Sequence, residues 1–359
     1  TDTHWFTSKT MAFMMPTIMM IMNGLSLAIY WIGAVLINDA QDMQGKFSLF
    51  SDMVVFSSYA MQVVMSFMML VMIFIMLPRA SVAAKRILEV LDTEPSIEDG
   101  TRDTFPVMKD GEVEFKDVSF KYPDAEEYVL EHISFSAKKG ETIAFIGATG
   151  CGKSTAINLI PRFYDVTEGE VLVDGVNVKE YTQEALHNKI GYVSQKAILF
   201  SGTIADNVAY GENGKAPATQ DDIAMAVKVA QASEFVEKKD QGCDGYVAQG
   251  GSNFSGGQKQ RLSIARAIAR QPEILIFDDS FSALDYKTDR ILREALRKEC
   301  KDATKIIVAQ RIGTIRDADK IIVLDDGQIA GMGTHDELMK NCEVYQEIAY
   351  SQLSKEELA

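Results

Sequence analysis

Two long apolar runs open the chain, and a pattern of short strands and helices follows them. Residues 11–37 and 53–77 are almost wholly apolar and carry no charge. About 20 helical residues cross a hydrocarbon core of about 30 Å, so each run is long enough to span a membrane. Soluble folds rarely contain two uncharged runs of this length. The pattern therefore predicts two membrane-spanning helices.

Charges at the ends of these runs predict their orientation. Lys9 precedes the first run, and Arg79, Lys85 and Arg86 follow the second. The short segment between the runs is polar, and we expect residues 38–52 to form a loop. Because Lys and Arg are enriched in cytosolic flanks, both ends are expected in the cytosol and the loop outside.

A change of composition follows the second run. Residues 79–91 keep a helical period and are expected to extend the second helix into the cytosol. Residues 93–110 then contain Pro95, Gly100 and Pro106 among many charges, which is typical of a linker.

From Gly111 onward, short apolar runs alternate with helical stretches. Residues 113–120 suggest a strand paired at the edge of a sheet. An Asp174-Gly175 turn ends the apolar run over residues 170–173. The pattern predicts an α/β nucleotide-binding domain over residues 111–350, with an antiparallel β flap in front and a helical subdomain at about 196–270. A tail, 351–359, follows. The further predicted strands are 132–135, 142–146, 170–173, 189–193, 274–278, 305–308 and 320–324.

The most specific motif lies between a strand and a helix. Residues 147–155 fit the phosphate-binding loop G-x-x-x-x-G-K-[ST], whose glycines let backbone N–H groups face a polyphosphate. Lys153 would reach the β- and γ-phosphates, and Ser154 would offer its hydroxyl to Mg²⁺. The predicted nucleotide-binding residues of this P-loop are Gly147, Ala148, Thr149, Gly150, Cys151, Gly152, Lys153, Ser154 and Thr155.

Two further elements support a site for ATP and Mg²⁺. Residues 274–278 are an apolar strand that ends in Asp278, and a carboxylate in that place can hold magnesium beside a phosphate loop. Residues 253–261 lead into a helix that Ser255 can cap, with glycine N–H groups open to an anion.

With these motifs the chain resembles the exporter type of ATP-binding cassette (ABC) transporter along essentially its whole length. Residues 147–155 match the family's Walker A loop and 274–278 its Walker B strand. Residues 1–92 resemble the last two of six membrane helices, so the chain is expected to be a piece of something longer. The signature loop is matched by Ser255, Gly256, Gly257 and Gln258.

The resemblance also implies roles for residues outside these motifs. Gln195 occupies the Q-loop position, which serves Mg²⁺ and the attacking water, and Tyr122 matches the aromatic that stacks on adenine. Residues 282–285 match the D-loop, and 247–251 match the exporter X-loop. In this family two cassettes pair head to tail, with each ATP between one Walker site and the partner's signature loop. A lone cassette then has an incomplete site, and a dimer is implied.

Two residues depart from the family pattern. Asp279 stands where the catalytic base is usually Glu, and its carboxylate is shorter by one methylene. Gln310 replaces the usual His, and an amide cannot carry a proton or a charge. Together they suggest the degenerate half of a heterodimeric exporter, with slow hydrolysis at this Walker site. A homodimeric exporter and a regulatory cassette that mainly binds ATP remain open.

Composition limits the kinds of molecule that the chain is expected to bind. A net charge of −15 argues against nucleic acid as the main partner, and so against a cassette acting on DNA or ribosomes. The methionine-rich spans suit repacking around apolar ligands, although ordinary lipid-facing packing gives the same composition. We expect a multi-pass protein of the plasma membrane with a cytoplasmic cassette, in contact with lipid. Its cargo would be a small molecule, a lipid or a peptide. The scattered cysteines suit a reducing compartment.

Overall fold

A computed structural model describes residues 2–103, 110–239 and 241–352. It divides into two compact units, Thr1–Pro95 and Ser96–Ala359, which are described separately. The helices are α1 Asp2–Asp39, α2 Met43–Leu91, α3 Lys153–Asn158, α4 Gln183–Lys189, α5 Ile204–Val208, α6 Gln220–Val229, α7 Ser233–Glu237, α8 Gly256–Ala269, α9 Tyr286–Glu299, α10 Ile312–Ile315, α11 His335–Asn341 and α12 Glu343–Gln352.

All strands of the described residues lie in the second unit. They are β1 Val113–Phe120, β2 Leu130–Ala137, β3 Thr142–Gly147, β4 Glu168–Val173, β5 Val176–Asn177, β6 Ile190–Val193, β7 Gly202–Thr203, β8 Tyr246–Val247, β9 Ile274–Asp278, β10 Thr304–Val308, β11 Lys320–Asp325 and β12 Gln328–Gly333.

The first unit is a pair of long helices, α1 and α2. Ser8–Asp39 and Met43–Leu91 are both long and apolar enough to cross a membrane. The predicted loop over 38–52 is wrong, because only residues 40–42 separate the two helices. The Asp42 side chain accepts a hydrogen bond from the Gly45 N–H (3.2 Å) and caps α2. Polar residues that follow a capping residue do not break a helix. The polar residues after Asp42 therefore indicate exposure to solvent and not a longer loop.

A six-stranded sheet forms the centre of the second unit, in the order β12-β11-β3-β10-β9-β6. Its strands run parallel except for β12, which pairs antiparallel with β11. Along β9, Ile274 and Ile276 join the core beneath α3, whereas Leu275 and Phe277 join the core on the α8 side. Burial on both faces explains why these strands read as continuous apolar runs.

A smaller antiparallel sheet has the order β2-β1-β4-β5. The expectation that residues 113–120 lie at an edge is wrong, because β1 pairs with β2 on one side and β4 on the other. The Asp174-Gly175 turn is confirmed. It joins β4 to β5 with φ of 55° and 79°, as a tight hairpin needs.

Part of the segment predicted as a linker lies along the second unit. The Gly100 N–H donates to the Tyr181 carbonyl (3.1 Å), and the Arg102 N–H to the Glu180 carbonyl (3.0 Å). The Asp99 side chain accepts from the Gln183 N–H (2.6 Å), at the start of α4. Pro106 and residues 353–359 of the predicted tail lie outside the described residues.

A buried histidine gives the second unit a dependence on pH. His335 shares a hydrogen bond with Tyr345 (2.8 Å), and burial, then the charge of Arg316, lowers the pKa of His335. The unfolded chain therefore binds the proton more readily, and stability is complete above the unfolded pKa of about 6.5 and falls as the pH drops through it. Between pH 7.5 and pH 5.5, the melting temperature of the full chain should fall more for wild type than for His335→Gln. Equal falls in melting temperature would show that His335 is not the source of the pH dependence.

Candidate functional site

The P-loop lies between β3 and α3 at the carboxyl edge of the parallel sheet. Gly147, Gly150 and Gly152 have φ of 154°, 89° and 96°, values that favour glycine. Gly152 is the N-cap residue of α3 and has no side chain with which to cap it. The first N–H groups of this helix are thus left for an anion, as the motif predicts.

Lys153 lies across its own loop. Its Nζ donates to the carbonyl oxygens of Gly147 (2.9 Å) and Ala148 (2.6 Å), and lies 3.5 Å from Cys151 Sγ. Only 8% of Lys153 is exposed. The ammonium is therefore held at the loop by carbonyl groups, which a phosphate would outcompete because it carries charge. Cys151 is buried with a free thiol, which fits a small packing residue.

Ser154 and Asp278 meet as a magnesium pair would. Ser154 Oγ donates to Asp278 Oδ1 over 2.7 Å, although the two residues are 124 positions apart in the chain. Mg²⁺ commonly takes one or two protein oxygens and completes its shell with water and substrate phosphate, so this hydroxyl and carboxylate fit it. Among the described residues no group of three or more His, Cys, Asp or Glu could hold a metal.

The two departures from the family pattern touch each other. Gln310 Nε2 donates to Asp279 Oδ2 (3.0 Å), and Gln195 Nε2 donates to the same oxygen (3.4 Å). Asp279 has φ of 45° and is only 8% exposed. Burial, and then the charge of Asp278, raises the pKa of Asp279. The carboxylate is thus more basic than usual, but one of its oxygens already accepts hydrogen bonds from the amides of Gln310 and Gln195.

Tyr122 contacts the P-loop through its hydroxyl. Its Oη lies 3.0 Å from Thr155 Oγ1, and its ring packs edge-on against Phe120 and Tyr164, at centroid distances of 5.0 and 5.2 Å. Stacking on adenine remains a prediction from the resemblance.

The signature loop serves its own helix. Ser255 caps α8 by accepting from the Gln258 N–H (3.4 Å), and Gln258 Oε1 accepts from the Ser255 N–H (2.9 Å). Among the described residues, no hydrogen bond joins Ser255, Gly256, Gly257 or Gln258 to the P-loop. The structure thus brings the predicted site residues together around the P-loop, except for those of the signature loop.

Two residues near Asp278 were not predicted from the sequence, Tyr192 and Asn158. Tyr192 donates toward Asn158 Oδ1 (2.9 Å) and Asp278 Oδ2 (3.4 Å). Tyr192 looked like one more strand residue and Asn158 like one more helix residue. A tyrosine three positions before Gln195 was the one available signal.

A P-loop entering a parallel sheet, with an acid at the end of a neighbouring strand, defines a P-loop nucleotide-binding domain. Comparison with known proteins gives the particular family. Residues 130–282 match the ABC transporter family. The chain therefore carries the ATPase domain of an ABC transporter.

The likeness to known proteins extends beyond residues 130–282. An uncharacterized ABC transporter ATP-binding protein of Mycobacterium tuberculosis is 45% identical over 342 residues, which are 95% of this chain and 57% of that protein. The ATP-dependent lipid A-core flippase of Haemophilus influenzae is 42% identical over 276 residues, 77% of this chain and 46% of the flippase. The chain thus spans about half the length of the curated relatives it matches.

One solved structure extends the likeness to three dimensions. A bacterial Atm1-family ABC exporter with ATP bound matches with a TM-score of 0.78 and 32% identity, over 94% of this chain and 58% of that one. Two apolar helices followed by a cassette are therefore an architecture shared with exporters.

Proposed function

We propose that this chain is part of a half-transporter that uses Mg-ATP to export a small apolar or amphipathic substrate. The likeness to a lipid A-core flippase and to an Atm1-family exporter supports the export direction. The two apolar helices supply a membrane anchor, and the cassette supplies the nucleotide site. We place it in the plasma membrane as a multi-pass protein with its cassette in the cytoplasm.

The Ser154–Asp278 contact carries the proposal for the nucleotide. A hydroxyl on the P-loop helix and a carboxylate on β9 meet at 2.7 Å, beside the Lys153 ammonium. Magnesium at this pair would neutralise phosphate charge, and Lys153 would stabilise the transferred phosphoryl group. Gln195 and Asp279 lie next to the pair, where an attacking water would have to be oriented.

The signature loop supports a dimer. Its helix cap is complete within the chain, and none of its described hydrogen bonds reaches the P-loop of the same chain. A second half-transporter would therefore place its P-loop against Ser255 and the two glycines. Each nucleotide would then lie between two cassettes.

The Asp279–Gln310 contact favours an asymmetric pair. Asp279 is one methylene shorter than Glu, and a misplacement of about 1 Å costs about 100-fold in rate. Its Oδ2 is also bonded to Gln310 and Gln195. We infer slow hydrolysis at this Walker site, and a faster site on a different partner chain that this chain's signature loop completes.

ATPase turnover of the purified pair tests this asymmetry. Asp279→Asn should lower turnover less than twofold, whereas amidation of the partner's catalytic acid should lower it about 100-fold or more. Asp279→Glu, which restores the reach, should raise turnover at this site. If Asp279→Asn alone abolishes activity, the asymmetric arrangement is refuted. Co-purification of an unlike half-transporter separates a heterodimer from a homodimeric exporter.

The same contact favours a second candidate, a cassette that mainly binds ATP and regulates its partner. One measurement separates the two candidates. It is single-turnover ATP hydrolysis at this chain's site, in a pair whose partner has its catalytic acid substituted by the corresponding amide residue. Slow hydrolysis supports the exporter subunit, and none at all supports the regulatory cassette.

A further inference from the structure

Tyr192 lies beside the magnesium pair without belonging to any motif. It is on β6, the edge strand parallel to β9, opposite Ile276 and therefore two positions short of Asp278. Its ring joins the core on the α3 side and packs edge-on against Phe163, at a centroid distance of 5.5 Å. This packing aims the phenol at the point where β9 ends and α3 begins.

Each oxygen of Asp278 faces one hydroxyl group. Ser154 Oγ donates to Oδ1 over 2.7 Å, and Tyr192 Oη lies 3.4 Å from Oδ2. We propose that Tyr192 is a positioning residue that orients the Asp278 carboxylate for magnesium. The inference rests on the proposed binding of Mg-nucleotide at this site and adds a residue to it.

The phenol has a single proton, and two acceptors surround it. Asn158 Oδ1, at 2.9 Å, is the nearer one. The phenol can donate to only one of them at a time, so Asn158 competes with Asp278 for the proton.

The hydrogen bond from Tyr192 to Asp278 would affect the binding of magnesium. Ser154 and Asp278 would hold the ion, so the metal competes for the oxygens that now bond each other. A carboxylate that ligates a metal is held in orientation by hydrogen bonds to its other oxygen, and losing such a partner typically weakens metal binding. Because the Tyr192 contact is long, we expect about a threefold to tenfold effect.

The test compares Tyr192→Phe with wild type in the full chain, assembled with its partner. A fluorescent ATP analogue is titrated first with EDTA and then with increasing Mg²⁺. Affinity with EDTA should be unchanged, and the Mg²⁺ concentration for half-maximal enhancement should rise about threefold to tenfold. Mn²⁺ binding, followed by electron paramagnetic resonance, should weaken to the same extent.

Tyr181→Phe is the matched control. Tyr181 is fully buried, and its hydroxyl donates to the Val173 carbonyl (2.9 Å). Its loss should lower the melting temperature without moving the Mg²⁺ requirement. A second variant, Asn158→Ala, removes the nearer acceptor and leaves the phenol proton to Asp278, so its Mg²⁺ requirement should fall. This variant decides the question if Tyr192→Phe fails to fold.

Three results would overturn the inference. They are an unchanged Mg²⁺ requirement in Tyr192→Phe, an equal loss of nucleotide affinity in Tyr192→Phe with EDTA, and a Mg²⁺ requirement in Asn158→Ala that does not fall. Wild type binding nucleotide with no response to Mg²⁺ would overturn the proposed function itself. That outcome is distinct, because it appears before any variant is made.

Discussion

Lys153→Ala is expected to remove most of the ATP-dependent activity. The ammonium is the positive side chain held at the P-loop, where its Nζ lies 2.6 Å from the Ala148 carbonyl. A hydrogen bond to a charged group contributes about 1.5–3 kcal/mol, so nucleotide affinity should fall at least about tenfold. Turnover should fall further, by about 100-fold to 1,000-fold, because charge on the transferring phosphoryl group is also left unstabilised. Equilibrium binding and ATPase assays of the assembled pair measure the two effects.

Lys305→Met is the control for removing a buried lysine. Lys305 is also largely buried, and its Nζ donates to the Ala303 carbonyl (2.7 Å). It lies at the start of β10, opposite Thr142, whereas the P-loop follows the other end of β3. The substitution should change the melting temperature and leave nucleotide affinity as in wild type. Were Lys153→Ala to retain wild-type affinity, Lys153 would have no part in binding phosphate.

Gly147→Ala is expected to displace the P-loop and remove nucleotide binding. A Cβ at this position would collide with the Leu324 carbonyl of β11 and approach Cys151 Sγ to 2.7 Å. The carbonyl is fixed because Leu324 pairs with Gly147 in the sheet, so the loop has to move. Overpacking of this kind costs about 3 kcal/mol. Thermal unfolding and binding of a fluorescent nucleotide, measured on the same sample, separate loss of stability from loss of the site.

Gly150→Ala is the control for backbone strain. Gly150 also has positive φ, at 89°, but no heavy atom lies within 4 Å of an added Cβ. Its stability should fall only by the conformational cost of about 1–2 kcal/mol. If the two variants lose equal stability, the collision with Leu324 does not govern Gly147.

The strands of the parallel sheet could be predicted because burial on both faces leaves a continuous apolar run. Ile274–Asp278 was predicted with its observed bounds. β12 was missed because Gln328–Gly333 contains two glycines and alternates at the surface. The central place of β1 was also missed, since an apolar pattern does not show how many neighbours a strand has.

The sequence alone was enough to identify an ABC transporter cassette, to predict ATP as its nucleotide, and to reveal the departures at Asp279 and Gln310. The spacing of a phosphate loop is local and leaves its mark within nine residues. Only the tertiary structure decided that Gln310 touches Asp279 and that Tyr192 faces Asp278. These contacts join residues 31 and 86 positions apart, and sheet register sets them. No short pattern in the sequence encodes that register.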